Sequence, residues 1–309
     1  LEAFQFGFRG WGIRIVLGPL KFLVPKKKWH EAIVKSHRYA DYYIDKALQY
    51  REKFVAGEID TSINGDKQSG ILLYNMVEES GDRIFLRNQV LQAVMASQDT
   101  TSNLIGNVFF LLARHPDIWQ KVRKEVLLVD GDLDFNRLMG MMYLQKVITE
   151  GIAPQPHILA HINPNLVRVA LRIYPVFPTL GRAALRDTIL PVGGGPDGRS
   201  PIFASKGTRF DTSFYTLHHD PEIWGPDAEE FKPDRWDTVK PNAWEYVPFG
   251  GGMHTCLGQQ KATLETSYIV ARMMQEFQKI ESRDDRPWQG HTALTARNAN
   301  GCLVSLTPA

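Results

Sequence analysis

Apolar positions recur at three- and four-residue steps through most of this chain, so the pattern predicts a mainly helical protein. Over residues 28–53, Ile33, Val34, Tyr39, Tyr43, Ile44 and Leu48 recur at three- and four-residue steps, which predicts an amphipathic helix. A polar stretch with Gly57, Asn64, Gly65 and Gly70 predicts a loop, and helical spacing resumes over 71–79 until Gly81 interrupts it. The longest helix follows. Asp82 suits its N-cap and Pro116 its stop, with Leu86, Val90, Ala93, Val94, Leu104, Val108 and Leu112 on apolar faces between them. About thirty residues at about 1.5 Å each span about 45 Å. Further helices are predicted over 117–129 and from 143 to 150. Strand signals come later: 189–192, a glycine-rich turn at 193–198 and a run from 200 to 210 predict a β-hairpin. Beyond Pro221 the chain is irregular until a helix after Cys256 that runs to Lys279, with Ala262, Ile269, Val270, Met273 and Phe277 inward. The predicted class is mainly α with a small β-sheet (α+β), without repeats.

Composition narrows this only a little. The 309 residues are 43% hydrophobic, enough for a sizeable core. A net charge of +2 from 36 basic and 34 acidic residues gives no field that suggests nucleic acid as a partner. Two cysteines, Cys256 and Cys302, make no disulfide framework and suit a reducing compartment, with Cys302 a packing residue. The most apolar stretch, 11–25, is broken by Arg14 and Lys21 and is too short for a membrane span; no signal peptide is legible. Leu1 opens the chain inside a helical pattern, so the sequence is expected to start partway through a protein.

The densest chemistry lies in ten residues, Phe249-Gly-Gly-Gly-Met-His-Thr-Cys-Leu-Gly258. Cys256 stands just before a predicted helix, whose first N–H groups stabilise negative charge on a sulfur. A thiolate that ligates haem iron needs a loop with room against the porphyrin, which Gly252 and Gly258 provide. It also needs a cation beside the propionates, which His254 can supply. A buried structural thiol is the plain alternative. The run F-x-x-G-x-(R or H)-x-C-x-G resembles the haem-binding signature of the cytochrome P-450 monooxygenases, with Phe249, Gly252, His254, Cys256 and Gly258 at the defining positions. Histidine at 254, where arginine is commoner, leaves propionate pairing partly titratable.

The resemblance extends to Ala96-Ser-Gln-Asp-Thr-Thr101. The family's motif A-G-x-(D or E)-T-(T or S) lies where its long helix bulges into an oxygen pocket, and its acid–alcohol pair supplies protons to dioxygen. Asp99 and Thr100 match that pair: a hydroxyl positions water, and a carboxylate recharges the relay from bulk solvent. Ser97 replaces the usual glycine and can bond a backbone carbonyl one turn back, which alters the bulge. The bland reading of this stretch is a polar patch on a buried helix.

The family's E-x-x-R motif is not intact. Glu150 and Arg172 are separated by residues 151–169, which carry Pro154, Pro156 and Pro164. Joining Glu150 to Ala170, Leu171 and Arg172 restores the motif, with both charges on one helical face. The expectation is an insertion at 151–169, either a retained intron or a genuine loop that still lets Glu150 and Arg172 meet. Arg235, in Phe231-Lys-Pro-Asp-Arg-Trp236, resembles the third member of a buried network that leaves costly unpaired charge when cut. Arg182 stands where the family commonly offers a propionate ligand; a surface arginine is the alternative.

With residues 42–48, 190–198 and 257–260, the chain resembles the fungal alkane and fatty-acid hydroxylases. The resemblance implies the C-terminal two-thirds of the cytochrome P-450 fold, one partial domain over 1–309. It implies haem b with Cys256 on the iron, and insertion of one atom of O2 into a C–H bond of an apolar substrate. Electrons would come from NADPH through a flavoprotein reductase. Full-length members sit on the cytosolic face of the endoplasmic reticulum membrane through an anchor expected to be missing here. The competing expectation is a non-catalytic fragment or mis-spliced product that does not hold haem.

Overall fold

The computed structural model describes residues 2–56, 71–129, 131–148, 170–292 and 295–309. The expected loop at 57–70 and the expected insertion at 151–169, with Glu150, lie outside the described residues. Two units divide between Gln98 and Asp99, inside one long helix.

The first unit contains α1 (Glu2–Leu17), a 3-10 turn, α2 (Lys27–Val55), α3 (Leu72–Glu79) and the start of α4 (Arg83–Leu112). Helix α2 buries Ala40, Ile44 and Ala47, which are spaced three and four apart, against Val77 of α3 and Leu86 of α4. The predicted N-cap of α4 is present: Asp82 Oδ1 accepts from the N–H groups of Ile84 at 2.8 Å and Phe85 at 3.1 Å. Arg83 grips Asp45 with two 2.7 Å bonds, which ties α4 to α2.

The second unit continues α4 and adds α5 (Pro116–Leu127), α6 (Phe135–Gly140), α7 (Met142–Ile148) and α8 (Ala170–Ile173). Among the described residues, four two-stranded antiparallel sheets follow. They pair β1 (Thr179–Ala183) with β4 (Arg209–Ser213) and β2 (Thr188–Gly194) with β3 (Ser200–Ala204); β5 (Phe277–Ser282) pairs with β8 (Val304–Pro308) and β6 (Gly290–Thr292) with β7 (Ala296–Asn298). Between β4 and β5 lie α9 (Phe214–His218), α10 (Pro221–Trp224) and α11 (Gln259–Glu276). The core is a helical stack: Leu104, Val108 and Leu112 of α4, Trp119, Val122 and Val126 of α5, Leu144 and Val147 of α7, and Val270, Ala271 and Met274 of α11. Polar seams align it. Both Glu125 oxygens cap α7 at Tyr143 and Leu144, 2.8 Å each, and buried Gln145 donates to Ser267 of α11 at 2.8 Å.

Four sequence expectations change. The run 200–210 is two strands, because β3 completes the hairpin with β2 while β4 crosses to β1. Helix α11 ends at Glu276 rather than Lys279, because residues from Phe277 pair with β8 and bury Ile280. Ile269 is 37% exposed, and the buried face of α11 instead carries Thr263, Thr266 and Ser267 beside Val270. Val94 of α4 is likewise exposed. Among the described residues no helix is long and apolar enough to cross a membrane.

Candidate functional site

The loop that carries Cys256 grows from a buried stem at Tyr246 and Val247. Val247 N–H donates to Nε2 of His218 at 3.2 Å, and its carbonyl accepts from Gly250 N–H at 2.9 Å. Cys256 N–H donates to the Phe249 carbonyl at 3.0 Å, closing the loop. Inside it, a single 3-10 turn spans Gly252–His254, and Thr255 bonds the Gly252 carbonyl through both its N–H and its hydroxyl. Gly250 and Gly252 hold φ of 72° and 68°, which side-chain-bearing residues rarely adopt. Gly251 is needed for space, since an added Cβ would lie 2.6 Å from the Trp244 ring.

Cys256 is exposed, two residues before the N-cap Gly258 of α11, where helix N–H groups present partial positive charge. Met253 and Leu257 flank it, both fully exposed. Cys302 differs: it is half-buried, and burial pushes its thiol up. One open thiol at a helix N-terminus, bordered by apolar side chains on a glycine-rich loop, is a donor set that fits haem. His254 is exposed within the loop. A Cβ on Gly258 would make ordinary contact with the Cys256 sulfur at 3.8 Å, and one on Gly252 would meet nothing within 4 Å among the described residues. Their room therefore matters only toward a group on the open side.

Helix α4 carries Ala96, Asp99 and Thr100 and is α-helical throughout 83–112, without the expected bulge. Ser97 Oγ lies 3.5 Å from the Val94 carbonyl, the back-bond that serine was expected to make. Asp99 accepts a hydrogen bond from Thr295, a buried hydroxyl just before β7, and Thr295 accepts from Asn103 Nδ2 at 3.0 Å. One turn on, Asn107 takes the Trp288 indole N–H at 3.1 Å and donates to the Tyr174 carbonyl at 3.3 Å. A cleft of about 480 Å³ opens beside this stripe, lined by Asn103, Asn107, His291, Arg297 and Asn298 among others. Sequence reasoning missed Thr295 and both asparagines, since their partners lie 67 to 196 residues away and no local spacing signals them.

Arg172 is completely buried on α8. It donates to the carbonyls of His218 (3.0 Å), Ala228 (2.5 Å) and Glu230 (3.1 Å). Arg235, 4% exposed, pairs with Asp227 and donates to the Trp224 carbonyl at 2.5 Å. Lys232 and Arg235 together hold the Asp227 carboxyl well below the usual carboxylate range. The carboxylate beside Arg235 is thus Asp227, which the sequence did not single out, while Glu150 lies outside the described residues. Arg182 is exposed on β1 and bonds the Gly181 carbonyl at 3.0 Å.

A sequence model of the cytochrome P450 family matches residues 16–158 and 165–300, and its six-residue break falls inside the 151–169 stretch. The chain is 36% identical over 306 residues to cytochrome P450 monooxygenase FPY7 of Fusarium mangiferae, covering 98% of this chain and 55% of the relative. It is 37% identical over 311 residues to cytochrome P450 52-M1 of Starmerella bombicola (97% and 54%) and 35% identical over 306 residues to cytochrome P450 52A13 of Debaryomyces hansenii (96% and 54%). The chain spans about half the length of these curated relatives. With a match over most of its length that takes in both the cysteine loop and the acid–alcohol helix, the chain belongs to the cytochrome P450 family.

Proposed function

We propose that this chain carries the haem-thiolate site of a monooxygenase that inserts one atom of O2 into a C–H bond of an apolar substrate, the other atom leaving as water. The observation that carries the reading is the open Cys256 thiol at the N-terminal end of α11, flanked by exposed Met253 and Leu257. In this proposal Cys256 holds the iron, and His254, with Arg182 as a second candidate, faces the propionates; Phe249, Gly252 and Gly258 shape the loop. Bound haem supplies the redox chemistry that activates dioxygen. The chain's own residues do the rest. Asp99, oriented by Thr295 and Asn103, takes up protons from solvent, and Thr100 beside it on α4 passes them toward the oxygen site, with Ala96 one turn earlier leaving room.

A long-chain alkane or fatty acid is the proposed substrate class, and an NADPH-dependent flavoprotein reductase the proposed electron donor. The endoplasmic reticulum membrane is the proposed location. Support for all three is the likeness to fungal family members. The test is haem titration of the purified chain, then turnover of a C12 to C18 fatty acid with NADPH and reductase. One haem per chain and a hydroxylated product agree with the reading. Failure to take up haem favours the non-catalytic reading.

A further inference from the structure

We propose that His218 is a positioning residue for the cysteine loop, its neutral imidazole accepting the Val247 N–H and so fixing the stem from which Cys256 is presented. The inference rests on the reading of Cys256 as the haem ligand and deepens it. His218 ends α9 and is completely buried. Its Nε2 accepts from Val247 N–H at 3.2 Å, which places the ring proton on Nδ1. Its carbonyl is separately held by Arg172 at 3.0 Å, so the residue is clamped by backbone and by ring. The Tyr246 ring lies 4.7 Å from the imidazole, and the Phe214 ring stacks at 6.1 Å.

The Val247 amide is the base of the loop. Its carbonyl receives Gly250, and two residues on, the Phe249 carbonyl receives the Cys256 N–H. A shift of Val247 therefore passes into both bonds that define the loop mouth. An imidazolium could not serve, since its Nε2–H would be a donor facing the Val247 N–H donor. The surroundings keep the ring neutral. Burial, then the neighbouring His219 and Arg172, push His218 down to about 3. The nearby acid Glu229 faces His219 instead, 3.6 Å from its Nε2.

Two substitutions separate the bond from the bulk of the ring. His218→Phe keeps an aromatic ring and removes the acceptor, whereas His218→Gln restores an acceptor that does not titrate. Amide hydrogen exchange on the whole chain, without haem, reads the bond directly. In His218→Phe, exchange at Val247, Gly250 and Cys256 is expected to speed up at least tenfold, with Val122 in the core of α5 unchanged; His218→Gln restores most of the protection. Haem affinity and the thiolate signature of the reduced carbon monoxide complex are expected to fall in His218→Phe and recover in His218→Gln.

Unchanged exchange at Val247 in His218→Phe overturns the proposal. So does equal acceleration at Val122, or a glutamine variant no better than phenylalanine, since each reduces His218 to packing. Cys256→Ser, measured in parallel, keeps the two readings apart. A thiolate signature that survives Cys256→Ser sinks the ligand assignment. A signature lost in Cys256→Ser but kept in His218→Phe sinks only the positioning role.

Discussion

Replacing Arg172 by methionine removes the donors that hold the segment between α9 and the 3-10 turn at Pro233–Asp237. Methionine is of similar length and fills much of the same volume, so the change isolates the polar interactions from a cavity. Two of the three carbonyl acceptors, on His218 and Ala228, are buried. Each buried acceptor left without a donor costs about 1–3 kcal/mol. The two give about 2–6 kcal/mol, and the half-exposed Glu230 carbonyl adds little because water replaces the lost bond. The guanidinium also lies 5.3 Å from the Trp224 ring centre, a cation–π contact worth up to about 2 kcal/mol when desolvated. A loss of at least about 2 kcal/mol is therefore expected, a large share of the roughly 5–15 kcal/mol by which folded domains are stable. Urea unfolding followed by tryptophan fluorescence measures it. Arg172→Lys should fall between the two, because one ammonium cannot reach three divergent carbonyls. A loss below about 1 kcal/mol in Arg172→Met would show that the buried arginine is packing filler and refute the reasoning.

Acid should destabilise the fold through His218. Its folded value lies near 3 against a usual 6.5, so the unfolded chain takes up a proton in that window while the folded chain does not. Stability is full above about pH 6.5 and is lost as pH falls toward 3, by up to about 5 kcal/mol for a ring this buried. In His218→Gln, the unfolding midpoint followed against pH should show a shallower acid limb. Thr100→Ala and Thr295→Val should each raise the ratio of peroxide to hydroxylated product per NADPH consumed, while Thr295→Ser keeps the Asp99 bond and stays near wild type; tight coupling in Thr295→Val would show that Asp99 needs no such orientation. Deleting residues 151–169 should raise the melting temperature by several degrees, since joining Glu150 directly to Ala170 places Glu150 and Arg172 on one continuous helical face; equal melting would mean that the segment is a tolerated loop.

What the sequence revealed was local. The cysteine loop is legible because its glycines, histidine and thiol fall within ten residues, and α4 because Asp82 caps it and Pro116 opens the next helix. The end of α11 was not, because Phe277 continues a helical spacing and turns to strand only where β8 supplies a partner. Arg172 could be picked out from a broken motif, and Arg235 from the run Phe231 to Trp236. Their observed acceptors could not, because these are mostly backbone carbonyls, which carry no sequence signal. Asp99 was singled out by its motif, whereas Thr295, which donates to it, lies 196 residues away in an unremarked threonine. His218 escaped notice for the same reason: its bond is to an amide 29 residues on.

The central claim, that Cys256 presents a thiolate to haem iron, is tested most directly by the carbon monoxide complex of the reduced, haem-loaded protein. Wild type and Cys302→Ser should both show a thiolate-type Soret band, and Cys256→Ser should lose it while staying folded by circular dichroism. A thiolate-type band that persists in Cys256→Ser would contradict the account.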